Sequence, residues 1–337
     1  MHCGGRRLDR RLACGGGGSP SGGRNAVTYS GVRAVVLGAS GFIGSWVARK
    51  LGEAGAETHL VVRDSAGVAA ALGGRVFEAD LAQPGAPAGI FEEIRPAIVF
   101  NLAGYGVDPS ERDVDLSERL NALLPRAICD AAARWRDCYW LGQHVIHVGS
   151  ALEYGEVSSD LREDGPANPT TVYGQTKLQG TLHIAKCAKT LELRAVTARL
   201  FTVYGPGEHC GRLLPSLIEA ARAEKPLELT AGTQLRDPTY VEDVAEGLLR
   251  LGLAQAEPGS VVNLATGHLT MVRSFAETAA RILSMPMENL KFSAVPTRAE
   301  EMRHEPISIE RLRQITRTVP STGIEEGIRR TLGWTAS

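Results

Sequence analysis

Residues 33–44 read Arg33-Ala34-Val35-Val36-Leu37-Gly38-Ala39-Ser40-Gly41-Phe42-Ile43-Gly44. An apolar run of strand type enters three glycines spaced three apart. It leaves into Phe42, Ile43, Trp46, Val47 and Leu51, which recur on one helical face. Gly38 allows a tight turn, Gly41 lets the backbone come close to a ligand, and Gly44 lets the helix pack hard on the strand. Strand, glycine turn and helix N-terminus in that order make a cradle for a pyrophosphate, because first-turn amides and the helix dipole both favour an anion. A bare glycine triplet carries little weight. In this context dinucleotide binding is preferred over a structural turn without a ligand.

With 337 residues, 43% of them hydrophobic, the chain can bury one large core or a core plus a smaller lobe. A formal charge of -1 creates no field favouring nucleic acid or an anionic membrane. No apolar run reaches the roughly 20 residues that span a bilayer. The six cysteines are scattered, without a CxxC pair or a histidine cluster at ligand spacing, so no metal is expected and free thiols in a reducing cytoplasm are the simpler reading. Residues 1–30 combine arginines with the tract Gly15-Gly16-Gly17-Gly18-Ser19-Pro20 and lack apolar periodicity. They read as a disordered tail or an upstream translated segment, and the absence of an apolar h-region fits a secretory signal poorly.

Thr58 to Val62 reads as a second strand, ending at Arg63-Asp64. In a dinucleotide fold the residue at this strand's end meets the adenosine ribose: an acid accepts from a 2′-hydroxyl, whereas an arginine pairs with a 2′-phosphate. Arg63 therefore favours NADP, and the adjacent Asp64 keeps NAD open. Val76 to Leu81 reads as a third strand closing on Asp80, and the continuous apolar run Pro96 to Phe100 as a fourth, buried on both faces. A long helix is expected from about Leu116 to Trp135.

His144 to Ser150 reads as a fifth strand that delivers Ser150 to the carboxyl edge of the sheet, where doubly wound sheets bind ligands. Tyr173-Gly174-Gln175-Thr176-Lys177 then opens a helical stretch, with Tyr173 and Lys177 one turn apart on one face. A phenol with an ordinary pKa of about 10 moves protons poorly near neutrality, but a neighbouring ammonium favours the phenolate. Tyr173 can then exchange a proton with a carbonyl or alcohol while Ser150 holds the same oxygen. YxxxK alone is common by chance, and a helix-surface ion pair is the plain alternative. A strand-end serine and an upstream glycine fingerprint make the catalytic reading specific.

Together these motifs resemble the extended short-chain dehydrogenase/reductase family, in its NAD(P)-dependent nucleotide-sugar branch of epimerases, dehydratases and reductases. The resemblance implies an α/β fold, a Rossmann-like doubly wound parallel sheet with a smaller, mostly C-terminal substrate lobe. The cofactor domain is expected over 31–200 plus about 240–266, and the lobe over 201–239 plus 267–337. It implies cofactor contacts from Gly38, Ser40, Gly41, Phe42, Ile43, Gly44, Arg63, Asp80 with Leu81, the strand-end Leu102-Ala103-Gly104, Tyr173, Lys177, Phe201 and Val203. Asp80 also reads simply as a strand-end turn residue. Asn121 matches the family's helix asparagine and joins Ser150, Tyr173 and Lys177 as catalytic, although an asparagine in a helix is more commonly solvated or capping.

For the substrate the resemblance implies Ser150, Thr202, Arg212, Leu213, Arg236 and Arg298. The two arginines Arg236 and Arg298 would clamp a nucleoside diphosphate from distant stretches. The pattern departs at Thr202, where an asparagine is common, at Pro238, where an aromatic is usual, and at Arg317-Thr318, where Gly-Trp is frequent. The long helices around Leu116 to Trp135 and Thr171 to Leu191 resemble the family's homodimer seam, and intramolecular packing explains the same pattern. The tail from Ile309 to Leu332 reads as helical.

Dehydratases follow their strand-end Thr with Asp-Glu as acid and base, whereas this chain has Ala151-Leu152. The form Ser-Ala-x-Glu-Tyr-Gly is similar to that of 4-keto-6-deoxysugar reductases, which implies hydride transfer from NADPH to the 4-keto carbon of an NDP-4-keto-6-deoxyhexose. An NDP-sugar 4-epimerase with tightly bound NAD is the close rival. A non-catalytic NADP-binding sensor is the reading from another class, and it gives little reason for Ser150, Tyr173 and Lys177 to occur together.

Overall fold

The computed structural model describes residues 28–66, 72–108, 110–296, 302 and 304–334. The expected tail lies outside them except at its end. There Tyr29 is buried, stacks on Trp140 at 6.1 Å and donates its hydroxyl to the Leu249 carbonyl at 2.7 Å, so the folded chain starts earlier than its composition implied.

The chain opens with β1 (Arg33–Leu37), α1 (Phe42–Glu53), β2 (Glu57–Val62), β3 (Arg75–Glu78), α2 (Ala86–Ile94) and β4 (Ile98–Asn101). The third strand is shorter than expected: Asp80 lies in a turn beyond it, its carboxylate accepting from the Ala82 amide and the Gln83 side chain. The expected long helix is divided into α3 (Val114–Ser117), a π-helical segment (Glu118–Leu123) and α4 (Leu124–Trp135). Pro125 has no N–H to return to the Asn121 carbonyl four residues earlier, which favours the wider turn there.

The next elements are β5 (Val145–Ser150), α5 (Val172–Thr190), β6 (Ala195–Leu200), β7 (Thr202–Tyr204), α6 (Leu213–Arg222) and β8 (Leu227–Glu228). They are followed by β9 (Leu235–Arg236), β10 (Pro238–Tyr240), α7 (Val241–Leu253), β11 (Val261–Leu264), β12 (Thr270–Met271) and α8 (Val272–Ile282). The described chain ends with β13 (Leu290–Lys291), α9 (Glu310–Thr316) and α10 (Ile324–Gly333).

Seven strands form one parallel sheet in the order β11-β6-β5-β4-β1-β2-β3. Its central strands read as unbroken apolar runs because both faces are covered. Val36, Phe100, Ile146 and Val262 meet α1 and α7 on one face, while Leu37, Val99 and Val145 meet α2, α4 and α5 on the other. The strand order reverses between β1 and β4. At such a point the connecting loops diverge and leave a crevice at the carboxyl edge.

A separate apolar cluster joins Tyr204, Leu217, Phe275, Ala279 and Ile328 from β7, α6, α8 and α10. The tail comprises two helices rather than one, because Arg317 ends α9 in the left-handed conformation at φ 60°. That position, where the family often places glycine, carries strain in this chain. Although α9 was expected with the lobe, its Leu312 is buried in the cluster that covers the sheet.

Candidate active site

The glycine turn shows why two of its members admit no side chain. Gly38 sits at φ 78°, and a Cβ on Gly44 would lie 2.1 Å from the Gly38 carbonyl oxygen. A Cβ on Gly41 would meet that oxygen at 3.2 Å, a contact the fold can nearly absorb. Gly41 also precedes α1 with no side-chain cap on the first turn of Phe42, Ile43 and Gly44. The chain thus fits a dinucleotide: a tight turn whose glycines leave no Cβ at its closest approaches, ending on backbone donors. Ser40 is exposed on the turn, and Ala103 comes within 3.0 Å of the place a Gly38 Cβ would occupy. Leu102 continues from β4 by donating to the Leu37 carbonyl.

Arg63 is exposed just past β2, close enough for its charge to act on Asp80. Leu81 is not open to a ligand in the same way, being buried among the residues under α2 and α4. Val203 is likewise buried in the sheet core, and Phe201 meets His304 edge-on at 5.8 Å.

Ser150, Tyr173 and Lys177 come together. Ser150 ends β5 and its Oγ accepts from the Leu152 amide at 3.2 Å, while Thr171 caps α5 by accepting from the Gly174 amide at 3.0 Å. This cap starts the helix so that Tyr173 lies in its first turn, close enough for the Ser150 side chain to act on the phenol. Lys177, one turn on, is buried and its Nζ donates to the Val148 carbonyl at 2.5 Å.

The electrostatics differ from the sequence expectation. Burial pushes the Tyr173 phenol up to about 12; the Ser150 hydrogen bond opposes this rise, while Glu153 and Glu111 add to it. Arg212 also pulls the phenol down. Burial lowers Lys177 itself to about 8, against the raising influence of Glu153. A phenol in this state holds its proton.

Asn121 does not reach this trio through any hydrogen bond of its amide. Its Nδ2 donates to the Tyr105 carbonyl at 2.7 Å and to Thr176 Oγ1 at 3.1 Å, and its Oδ1 accepts from the Tyr105 amide at 3.0 Å. It joins the loop after β4 to α5, where a Cβ on Gly180 would lie 2.1 Å from the Asn121 carbonyl oxygen.

A second cleft is lined by Thr202, Glu208, Leu213, Arg236 and Pro238 beside Phe275. Thr202 and Pro238 are register partners in the parallel pair of β7 and β10. The two departures from the family pattern therefore face the same cleft as neighbours. Arg212 precedes α6 with its Nε 3.8 Å from Glu208, and the Arg236 Nη1 donates to the Met302 carbonyl at 3.1 Å. Arg298 lies outside the described residues. The acids of the Arg236-to-Val244 stretch hold the fold. Buried Asp237 accepts from the amides of Thr266, Gly267 and His268, and Asp243 accepts from those of Ser321 and Thr322.

The sequence reading assigned no role to the buried pair of Glu153 and Arg199, whose Oε2 and Nε are 2.8 Å apart. Its signal was a charged residue inside the apolar run Ala195 to Leu200, because a guanidinium in a two-sided strand requires a partner.

The model of the NAD dependent epimerase/dehydratase family matches residues 34–265. dTDP-6-deoxy-L-talose 4-dehydrogenase (NAD(P)(+)) of Kitasatospora kifunensis is 26% identical over 314 residues, covering 90% of this chain and 95% of that protein. dTDP-4-dehydrorhamnose reductase of Streptomyces griseus is 28% identical over 266 residues, covering 76% and 77%. The structure of MoeE5 in complex with UDP-glucuronic acid and NAD is 26% identical, with a TM-score of 0.78 over 90% of this chain and 98% of that one. Because that match spans well over half of the chain and begins on the strand that feeds the glycine cradle, this protein belongs to the NAD dependent epimerase/dehydratase family.

Proposed function

We propose that the chain reduces the 4-keto group of a nucleoside-diphospho-4-keto-6-deoxyhexose with NADPH. The observation that carries this reading is the placing of Ser150, at the carboxyl end of β5, next to the start of α5, which carries Tyr173 and Lys177 one turn apart. With its pyrophosphate at the glycine cradle, the reduced dinucleotide would supply the hydride. Ser150 holds the keto oxygen, and Tyr173 donates its proton to that oxygen as negative charge develops there. Lys177 holds the cofactor ribose. Leu152 and Ala151 offer no acid or base for elimination of water, which supports reduction over dehydration. Arg236 borders the cleft assigned to the diphosphate, with Thr202 and Leu213 on its wall, and Arg212 approaches Glu208 of that wall at 3.8 Å.

Arg63, exposed at the end of β2, supports NADP through a charge-assisted contact to a 2′-phosphate. MoeE5, whose structure holds NAD, supports the rival reading, a 4-epimerase that retains NAD. The test is absorbance at the reduced-nicotinamide band with NADPH and 4-keto-6-deoxysugars on different nucleoside diphosphates. Stoichiometric loss of NADPH is expected. Interconversion of sugars on retained NAD without net loss would assign the epimerase, and binding of NADP without turnover of any sugar would assign the sensor.

The homodimer is part of the same proposal. Leu123 and Leu182 remain exposed on the π-helical segment and on α5. Light scattering on wild type and Leu182→Glu should give a dimer and a monomer respectively, and a wild-type monomer would remove the dimer from the reading.

A further inference from the structure

Directly behind the reacting trio lies a connected set of buried polar groups. The Glu153 side chain is fully buried, and its Oε1 accepts from the Ser150 amide at 2.8 Å. Its Oε2 is bound by Arg199 Nε at 2.8 Å and by Thr181 Oγ1 at 2.9 Å. The Arg199 guanidinium lies 4.4 Å over the Tyr154 ring, and the Tyr154 hydroxyl donates to Asn263 Oδ1 at 2.7 Å. Asn263 in turn donates from Nδ2 to the carbonyls of Leu161 and Ser308.

The carboxylate has a seat made for it. A Cβ on Gly149 would stand 2.5 Å from Glu153 Oε1 and 2.9 Å from the Thr197 methyl group, so any larger residue there expels the acid. One side chain thus joins the end of β5, the third turn of α5 and the carboxyl end of β6. The first two of these elements carry Ser150, Tyr173 and Lys177. A buried ion pair is a weak source of stability, because desolvating both charges offsets most of their attraction. Its value here is geometric: it fixes the turn that aims Ser150.

We propose that Glu153 and Arg199 are positioning residues, which lock the Ser150 turn against α5 and keep Tyr173 in its proton-donating form. This inference rests on the reductase reading and adds to it a direction: the site is biased toward giving a proton rather than taking one. The charge sits where it disfavours a phenolate and favours an ammonium, and it acts in that sense on Tyr173 and Lys177. Among the other charges facing Tyr173, Glu111 from the loop before α3 acts in the same sense and Arg212 from before α6 opposes, and Lys177 lies one turn along the same helix.

The test uses the full chain and needs no substrate. Tyr173 is titrated by ultraviolet difference absorbance against Tyr173→Phe in each background. Glu153→Gln keeps an acceptor for the Ser150 amide and removes the charge. Glu153→Gln/Arg199→Met removes the pair together, so that no buried charge is left uncompensated. In Glu153→Gln, which leaves the Arg199 cation unpaired behind the phenol, the Tyr173 titration is expected to fall by about one pH unit, the size of effect a nearby charge exerts, and in the double variant, which removes both charges, to fall by less. The alkaline limb of kcat/KM with a keto sugar should move the same way. A folded variant whose Tyr173 titrates as in the wild type overturns the proposal, as does a double variant that does not fold, since the pair would then serve the fold alone. The titration is readable even if the chain turned over no keto sugar, so the two readings fail separately.

Discussion

The ammonium of Lys177 donates to the carbonyl of Val148 at 2.5 Å, two residues before Ser150, so the helix carrying Tyr173 is tied to the strand that presents the serine. The lysine acts here as a clamp between two elements.

Because Tyr173 carries the proton, Tyr173→Phe should lower kcat by about two to four orders of magnitude, the usual worth of a positioned general acid. Dinucleotide affinity, measured by fluorescence quenching, should change little. Undiminished turnover would remove Tyr173 from the chemistry.

Lys177 is pushed down to about 8 by burial, so it loses its charge within the working range of pH. Affinity for the dinucleotide should therefore weaken as pH rises through about 8, as the charged donor to the ribose becomes neutral. Calorimetric titration between pH 6 and pH 10 reads this, and Lys177→Met should bind weakly with a flat profile.

Gly44 and Gly41 should separate folding from binding. Gly44→Ala places a methyl group 2.1 Å from the Gly38 carbonyl oxygen and should cost about 1–3 kcal/mol of stability by overpacking. Gly41→Ala meets the same atom at 3.2 Å and should fold nearly as well, yet lose the dinucleotide. Thermal melts with and without NADP distinguish the two effects.

His144 and His304 are both pushed down to about 3, first by burial and then by nearby arginines, Arg194 for one and Arg236 for the other. Their folded pKa lies below the unfolded value, so the stability they contribute is complete above about 6.5 and is lost as pH falls toward 3. Urea unfolding should show stability dropping by at most about 1.4 kcal/mol per pH unit for each. His304→Phe should flatten that slope, and an unchanged slope would exclude His304.

The elements of the fold were legible wherever a pattern is local. Val35 to Leu37 and Val145 to Val148 read as strands because both faces of the sheet are covered, and Thr171 caps a helix whose start the YxxxK spacing already implied. Legibility failed where the chain bends for reasons residing elsewhere. Asp80 lies beyond its strand in a turn that its own carboxylate stabilises, and the helix around Asn121 widens before Pro125.

By itself the sequence determined the glycine cradle, the apolar strands and the placing of Tyr173 and Lys177 on one helical face. Each depends on residues within a turn or two of one another and on periodicities set by backbone geometry. Only the tertiary structure decided that Asn121 spends its amide on Tyr105 and Thr176, that Thr202 stands beside Pro238, and that Glu153 meets Arg199 across 46 positions of chain. Those contacts arise from the register of parallel strands and the docking of α5 on them, which bring distant residues together with no local pattern to announce it.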